Sequence, residues 1–169
     1  NFRSGSILFV PAHGDTPATI YAGDFNAYVY ALDAASGELL WRTRVGTSNF
    51  FHFVTGGMQY QDGKLIVPVS TKEVLATLAF SGPCCTSHGM LVALDAASGN
   101  TLWEYHTTAN ATEVVSPNNR IGPNGAAVWS TPTLDAARNA VYIGTAQNYT
   151  EPVTETSDAI ISLDLNSGA

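Results

Sequence analysis

Two cysteines, the only two in 169 residues, stand side by side at positions 84 and 85 in GPCCTSHG. Three chemistries suit such a pair: a structural disulfide, a pair of metal thiolates, or a strained ring beside a reactive group. Zinc sites need spacing such as C-x2-C and usually four donors, and the sequence offers neither. The haem-attachment pattern C-x-x-C-H is absent too, because CCTSHG has the wrong spacing. Neighbouring Cα atoms sit about 3.8 Å apart, within disulfide range, so a bond between them would close a small strained ring. Two buried free thiols are the other reading.

Three more positions carry usable chemistry. Glu73 closes KLIVPVSTKE, a strand candidate running into a polar turn. Calcium takes several oxygen ligands, and a carboxylate at a strand end is a natural first one; the alternative is a loop carboxylate beside Lys72, an exposed pair worth little. Trp129, in AAVWSTP, offers the largest π surface for stacking a planar group, or packs in a core. The GPNGA in front of it permits close backbone approach. Arg3, in NFRSGS, presents a planar fork for carboxylate or carbonyl oxygens, or is a solvated surface cation. His13, His52 and His106 show no ligand spacing and read as ordinary loop or strand residues. NAT (110–112) and NYT (148–150) match the glycosylation acceptor pattern and read as chance.

The elements that must hold these residues are repeats. VYALDAASGELLW (29–41) returns as LVALDAASGNTLW (91–103), and a third copy begins at IISLDLNSGA (160–169). In each, an alternating strand ends at Asp33, Asp95 or Asp164, and a turn closed by Gly37, Gly99 or Gly168 follows. The aspartate can accept from turn amides and the glycine supplies positive φ. A second strand then carries Trp41 or Trp103 to pack against the next unit. The period is two, so these are strands and not helices. The aspartates lie 62 and 69 residues apart, room for a four-stranded sheet and a long loop. Further strand candidates are SILFV (6–10), TIYAG (19–23), KLIVPVS (64–70), AAVWSTPTLD (126–135) and AVYIGT (140–145). The expected fold is all-β: one partial β-propeller domain over 1–169, with repeats at 27–41, 90–103 and 159–169. The third copy stops before its Trp, so the chain reads as about three blades of a longer closed ring.

Composition agrees and excludes. Only 12% of residues are charged, while turn formers and aromatics are plentiful, which suits a β protein. Seven basic against 14 acidic side chains give a net charge of −7, with no basic patch for a nucleic acid. No apolar run is long enough to span a bilayer. No signal peptide is visible, but the chain opens in mid-pattern.

The motif A-L-D-x-x-[ST]-G-x-x-x-W resembles the blade signature of the quinoprotein alcohol dehydrogenases, eight-bladed propellers that hold pyrroloquinoline quinone (PQQ) and calcium on the central axis. The same repeat also builds cofactor-free binding scaffolds, so by itself it specifies fold and not chemistry. The wider stretches YAGDFNAYVYALDAASG, DGKLIVPVSTKEV, PCCTSHGMLVALDAASG, GPNGAAVWSTPTLDAARNAVYIGTAQNYT and SDAIISLDLNSG are similar to the polyvinyl-alcohol-dehydrogenase-like branch.

The resemblance implies roles residue by residue. Arg3 would face the quinone, and Thr55 and Ser70 would bond its carboxylates. Trp129 would lie flat beneath it. Cys84 and Cys85 would form a vicinal disulfide against the quinone plane. Glu73 would bind calcium, and the second calcium ligand falls eighteen residues after Trp129, at Gln147. The branch usually has Gly-Asn where this chain has Ala146-Gln147, so either Gln147 or Asn148 would supply the oxygen. His88 stands where the branch tends to place Arg. The catalytic aspartate of the family is expected beyond residue 169, which leaves this stretch inactive alone. The implied whole protein is a periplasmic or secreted PQQ- and calcium-dependent dehydrogenase. It would oxidise polyvinyl or other alcohols and pass electrons to a cytochrome c-type acceptor, with a haem c domain of its own left open. The contrasting expectation is a cofactor-free propeller scaffold for protein–protein interaction.

Overall fold

A computed structural model describes residues 2–47, 51–73, 84–111, 113–114 and 121–169, with the side chains of 2–5 and 113–114 outside that description. The described residues form no helix, and none is available to cross a membrane as a long apolar helix. The strands are β1 (Phe2–Val10), β2 (Thr19–Asp24), β3 (Tyr28–Asp33), β4 (Leu39–Arg44), β5 (His52–Phe53), β6 (Gln59–Gln61) and β7 (Lys64–Thr71). They continue as β8 (Met90–Asp95), β9 (Thr101–His106), β10 (Glu113–Val114), β11 (Ile121–Gly122), β12 (Thr133–Asp135), β13 (Ala140–Gly144) and β14 (Ile160–Asp164).

All strand pairs are antiparallel and follow chain order, so each repeat closes its own sheet. The first sheet is β1-β2-β3-β4; the second runs β5-β7-β8-β9 with β6 also on β7; the third is β12-β13-β14. Alternation in β7 and β8 explains why the middle sheet is buried on both faces. Leu65, Val67, Val69, Met90, Val92 and Leu94 pack towards the first sheet. Ile66, Leu91 and Ala93 pack with Val128, Val141, Ile143 and Leu163 of the third. These are face-to-face blades, and the propeller expectation stands.

The repeat motif is the joint between blades. Asp33 Oδ1 accepts from the amides of Ala35 and Ser36 at 3.0 and 2.7 Å, and Asp95 and Asp164 accept likewise from Ser98 and Ser167. These bonds hold all three carboxyls below the usual range, those from Ser36 and Ser167 acting chiefly through the amide and that from Ser98 through the hydroxyl. Each tryptophan then docks on the next repeat's turn. Trp41 Nε1 donates to the Ala96 carbonyl at 3.0 Å, and Trp103 Nε1 to that of Leu165 at 3.1 Å. A Cβ at Gly99 would lie 2.6 Å from Trp41 Cε3, and one at Gly168 2.6 Å from Trp103 Cε3. Glycine is needed here both for positive φ and for the indole's approach.

Two departures from regularity matter for the site. The first strand of the middle blade is interrupted: β5 ends at Phe53 opposite Ser70, and β6 resumes at Gln59 opposite Ile66. The gap faces Pro68, which has no amide hydrogen to offer a neighbour. The stretch 126–135 is not one strand. Only Thr133–Asp135 pairs, and Ala126 has φ of +45°, so the chain around Trp129 is loop.

Candidate functional site

Where β7 ends, Thr71 turns the chain and Glu73 points inward, 4% exposed. The turn is fixed by a circuit of hydrogen bonds. The Glu73 amide donates to Thr71 Oγ1 at 3.3 Å, Thr71 Oγ1 bonds Ser87 Oγ, and Ser87 Oγ donates to Glu73 Oε2. The same carboxylate oxygen accepts from the amides of Thr86 and Ser87 at 2.9 and 2.6 Å. Three donors on one oxygen fix the carboxylate's direction before any ligand arrives. The alternative of an exposed Lys72–Glu73 pair is set aside by the burial of Glu73.

Cys84 and Cys85 form a disulfide across a cis peptide bond, with Cα atoms 3.1 Å apart. Cys85 Sγ lies 3.8 Å from the Glu73 carbonyl oxygen. One carboxylate oxygen of Glu73 and both sulfurs lie within 4.8 Å of one another, and all three side chains are buried. Asn124, from the GPNGA turn, anchors this loop. Its Nδ2 donates to Cys85 O at 2.8 Å, and its Oδ1 accepts from the amides of Tyr149 and Thr150 at 3.3 and 3.1 Å. Gly125 completes the close approach, but to protein: a Cβ there would meet Gln147 O at 2.6 Å. Tyr149 OH donates to Thr71 O at 3.1 Å. Burial pushes the Tyr149 phenol up to about 12, with the Glu73 charge adding to it, so it stays a neutral donor.

The other expected residues fall around this cradle. Ser70 is buried on β7. Thr55 is half-buried in the gap between β5 and β6. The adjoining Gly56 packs on the backbone of the Trp129 loop, where a Cβ would meet Trp129 O at 2.9 Å. The indole of Trp129 is 62% exposed, so it is not the core tryptophan that Trp103 is. Gln147 is exposed. Asn148 is occupied in its own loop, donating to Pro152 O at 2.8 Å and accepting from Thr154 Oγ1 at 3.4 Å. Arg3 lies on β1, but its side chain is outside the described residues.

His52 and His106 are strand residues, on β5 and β9, but they are not isolated. His52 and His106 look unremarkable in sequence, yet they converge on His88. His52 Nε2 donates to the His88 carbonyl at 2.9 Å, and His88 Nε2 bonds His106 Nδ1 at 2.8 Å. His106 Nε2 reaches Glu104 at 3.7 Å on the surface. His88 Nδ1 is buried without a partner. Burial first, and then the neighbouring His106 and His52, pushes His88 down to about 4, and burial lowers His52. His88 is therefore a neutral interior side chain at pH 7. The convergence comes from register: β5 sets His52 opposite Thr71, and β9 sets His106 opposite Met90. No spacing within the sequence could have shown it.

The cradle combines a fixed carboxylate, neighbouring hydroxyls and a disulfide, and a solvent-facing indole lies in the loop packed on Gly56. Oxygen donors suit a hard cation such as calcium, and an exposed indole suits a planar aromatic group, so these residues fit the group the resemblance implies.

The fold and repeat define a β-propeller of the PQQ-repeat class. A family profile described as outer membrane protein assembly factor BamB matches residues 6–168, and the chain belongs to this family of PQQ-type repeats. Within it, the chain is 35% identical over 167 residues to a polyvinylalcohol dehydrogenase of Sphingopyxis sp. (strain 113P3), covering 96% of this chain and 25% of that protein. A quinohemoprotein alcohol dehydrogenase from Pseudomonas putida superposes with a TM-score of 0.66 at 16% identity, over 89% of this chain and 24% of that one. BamB from Moraxella catarrhalis gives 0.51 at 22%, over 92% and 33%. The chain spans about a quarter of the length of the dehydrogenases it matches.

Proposed function

We propose that this chain forms the cofactor-holding part of a PQQ- and calcium-dependent alcohol dehydrogenase, periplasmic or secreted, that oxidises alcohols and passes electrons to a cytochrome c-type acceptor. The observation that carries the reading is the cradle: a buried, oriented carboxylate at Glu73 against a Cys84–Cys85 disulfide. A cofactor-free scaffold of the kind the BamB likeness suggests needs the repeat turns and docked tryptophans but has no use for this constellation. The similarity to polyvinylalcohol dehydrogenases favours polymeric and secondary alcohols as substrates.

Bound PQQ would supply a two-electron acceptor, with calcium polarising its carbonyl. This chain's residues would position it. Glu73 and Gln147 would hold calcium, Gln147 being preferred because the side chain of Asn148 is taken up in its own loop. Thr55 and Ser70 would meet carboxylates, Arg3 a carboxylate or carbonyl oxygen, and Trp129 and the disulfide the ring faces. The base that takes the alcohol proton would come from a blade outside these residues. Asp33, Asp95 and Asp164 are committed to turns, Asp135 pairs with Arg138 at 2.7 Å, and Asp24 accepts from two amides and Tyr30.

The test is reconstitution of the full-length protein. Calcium-dependent PQQ binding, read by quenching of tryptophan fluorescence, should fall far more for Glu73→Ala than for Gln147→Ala. The chain of 169 residues alone should show no alcohol-dependent dye reduction. Wild-type binding by Glu73→Ala would overturn the assignment.

A further inference from the structure

Along the sequence, two adjacent thiols fall short of the donors a zinc site needs. The fold adds a third donor. A Glu73 oxygen and both sulfurs lie within 4.8 Å of one another in a buried cluster, with the carboxylate held by Thr86 and Ser87. As a disulfide the sulfurs carry no thiolate charge and are poor ligands; as thiolates they are strong, soft ones.

We propose that the dithiol form of this protein binds a thiophilic divalent cation of the zinc class through Cys84, Cys85 and Glu73, and that the disulfide form does not. A dithiol reductant breaks the Cys84–Cys85 bond, delivering two electrons and two protons and closing into its own disulfide. Zinc then displaces the two thiol protons, forms two Zn–S bonds and takes the Glu73 carboxylate as third ligand. Three protein donors leave the fourth tetrahedral position to solvent. The bonds from Thr86 and Ser87 keep the carboxylate turned inward in the way outer ligands orient metal-binding groups. The redox state of the pair thereby selects a soft metal at a carboxylate otherwise free for a hard one. The site does not depend on the calcium assignment; only the consequence that zinc displaces calcium from Glu73 rests on that reading.

The test reduces the full-length protein with a phosphine, removes it anaerobically and titrates ZnCl2 by calorimetry in calcium-free buffer, with circular dichroism in parallel. The reduced protein should bind one Zn2+ on the order of 100-fold more tightly than the oxidised protein. Cd2+ should give a sulfur-to-metal charge-transfer band only in the reduced form. The double variant Cys84→Ser/Cys85→Ser should lose the site, and Glu73→Gln should weaken it by about tenfold or more. Equal affinity in both redox forms, unchanged binding by Glu73→Gln, or loss of the β-sheet signal on reduction would each overturn the proposal. Calcium affinity of the oxidised protein is measured separately, so failure of the calcium reading leaves the zinc result standing, and the reverse holds too.

Discussion

Acid should loosen this protein through one buried ring. His88 is 2% exposed, and its folded-state pKa lies at about 4 against an ordinary value of 6.5. Its neighbours offer no compensation, because His52 and His106 would only repel a charge there and Glu104 pairs with His106, one ring further out. The unfolded chain takes up a proton at His88 as pH falls through 6.5, while the folded chain does not. Stability is therefore full above about pH 6.5 and falls below it, levelling off under pH 4. At 1.36 kcal/mol per pKa unit the complete loss is about 3 kcal/mol, and about 2 kcal/mol has gone by pH 5. The perturbation is His88→Gln, which retains a polar group facing His106 but cannot titrate. Urea denaturation of the full-length protein and the variant at pH 7.5, 6.5, 5.5 and 5.0 reads the difference. The stability advantage of wild type over variant should shrink by about 2 kcal/mol between pH 7.5 and 5. Parallel pH profiles would refute the buried neutral imidazole and with it the account of the histidine cluster.

Gly99→Ala should destabilise by about 2–3 kcal/mol, because the new methyl meets Trp41 Cε3 at 2.6 Å as well as an unfavourable φ of +73°. Gly37→Ala, at φ of +75° with nothing within 4 Å, should cost only about 1 kcal/mol, so equal losses in paired urea titrations would dismiss the docking contribution. Asn124→Ala strips a buried amide bonded to Cys85 O and to the Tyr149 and Thr150 amides, and should cost about 2–4 kcal/mol. Hydrogen exchange at residues 149 and 150 should quicken, and unchanged protection there would count against the anchor. Peptide mapping across 82–89 should show a mass about two units higher after reduction. Alkylation of both thiols in unreduced protein would contradict the disulfide.

The blades were legible because their sequence repeats a physical requirement. An aspartate that feeds turn amides, a glycine that passes an indole and a tryptophan that docks on the next turn recur together, and each is seen in contact with its partner. The stretch 64–70 likewise reads as a strand, and the structure adds that β7 and β8 are buried on both faces. Residues 126–135 are not the single strand their sequence suggests, since only Thr133–Asp135 pairs. Ala126 turns with positive φ, and the Trp129–Ser130 backbone is pressed against Gly56 of another blade. That contact is long-range, and alternation within a window does not register it.

The site was legible in a different way. Glu73, the cysteines and Trp129 stood out because they break the repeat, and the structure brings a Glu73 oxygen and both sulfurs within 4.8 Å of one another. What the sequence withheld were the residues that make the cluster rigid. Asn124 reads as one more turn asparagine, and Ser87 and Thr71 as ordinary strand-end hydroxyls, until their hydrogen bonds close on Glu73 and Cys85. The reason is common to all of them. Ladder bonds and two-sided burial use up the polar groups of regular strands, so only irregular backbone has groups left for a ligand. Here the irregular places are the gap opposite Pro68, the end of β7, the 84–88 loop, the 123–130 loop and the segment after β13. A scaffold would need the repeat turns and the docked tryptophans but not the cluster of Glu73, Cys84 and Cys85. On the function proposed above, that cluster, and not the repeat, would distinguish an enzyme from a binding ring.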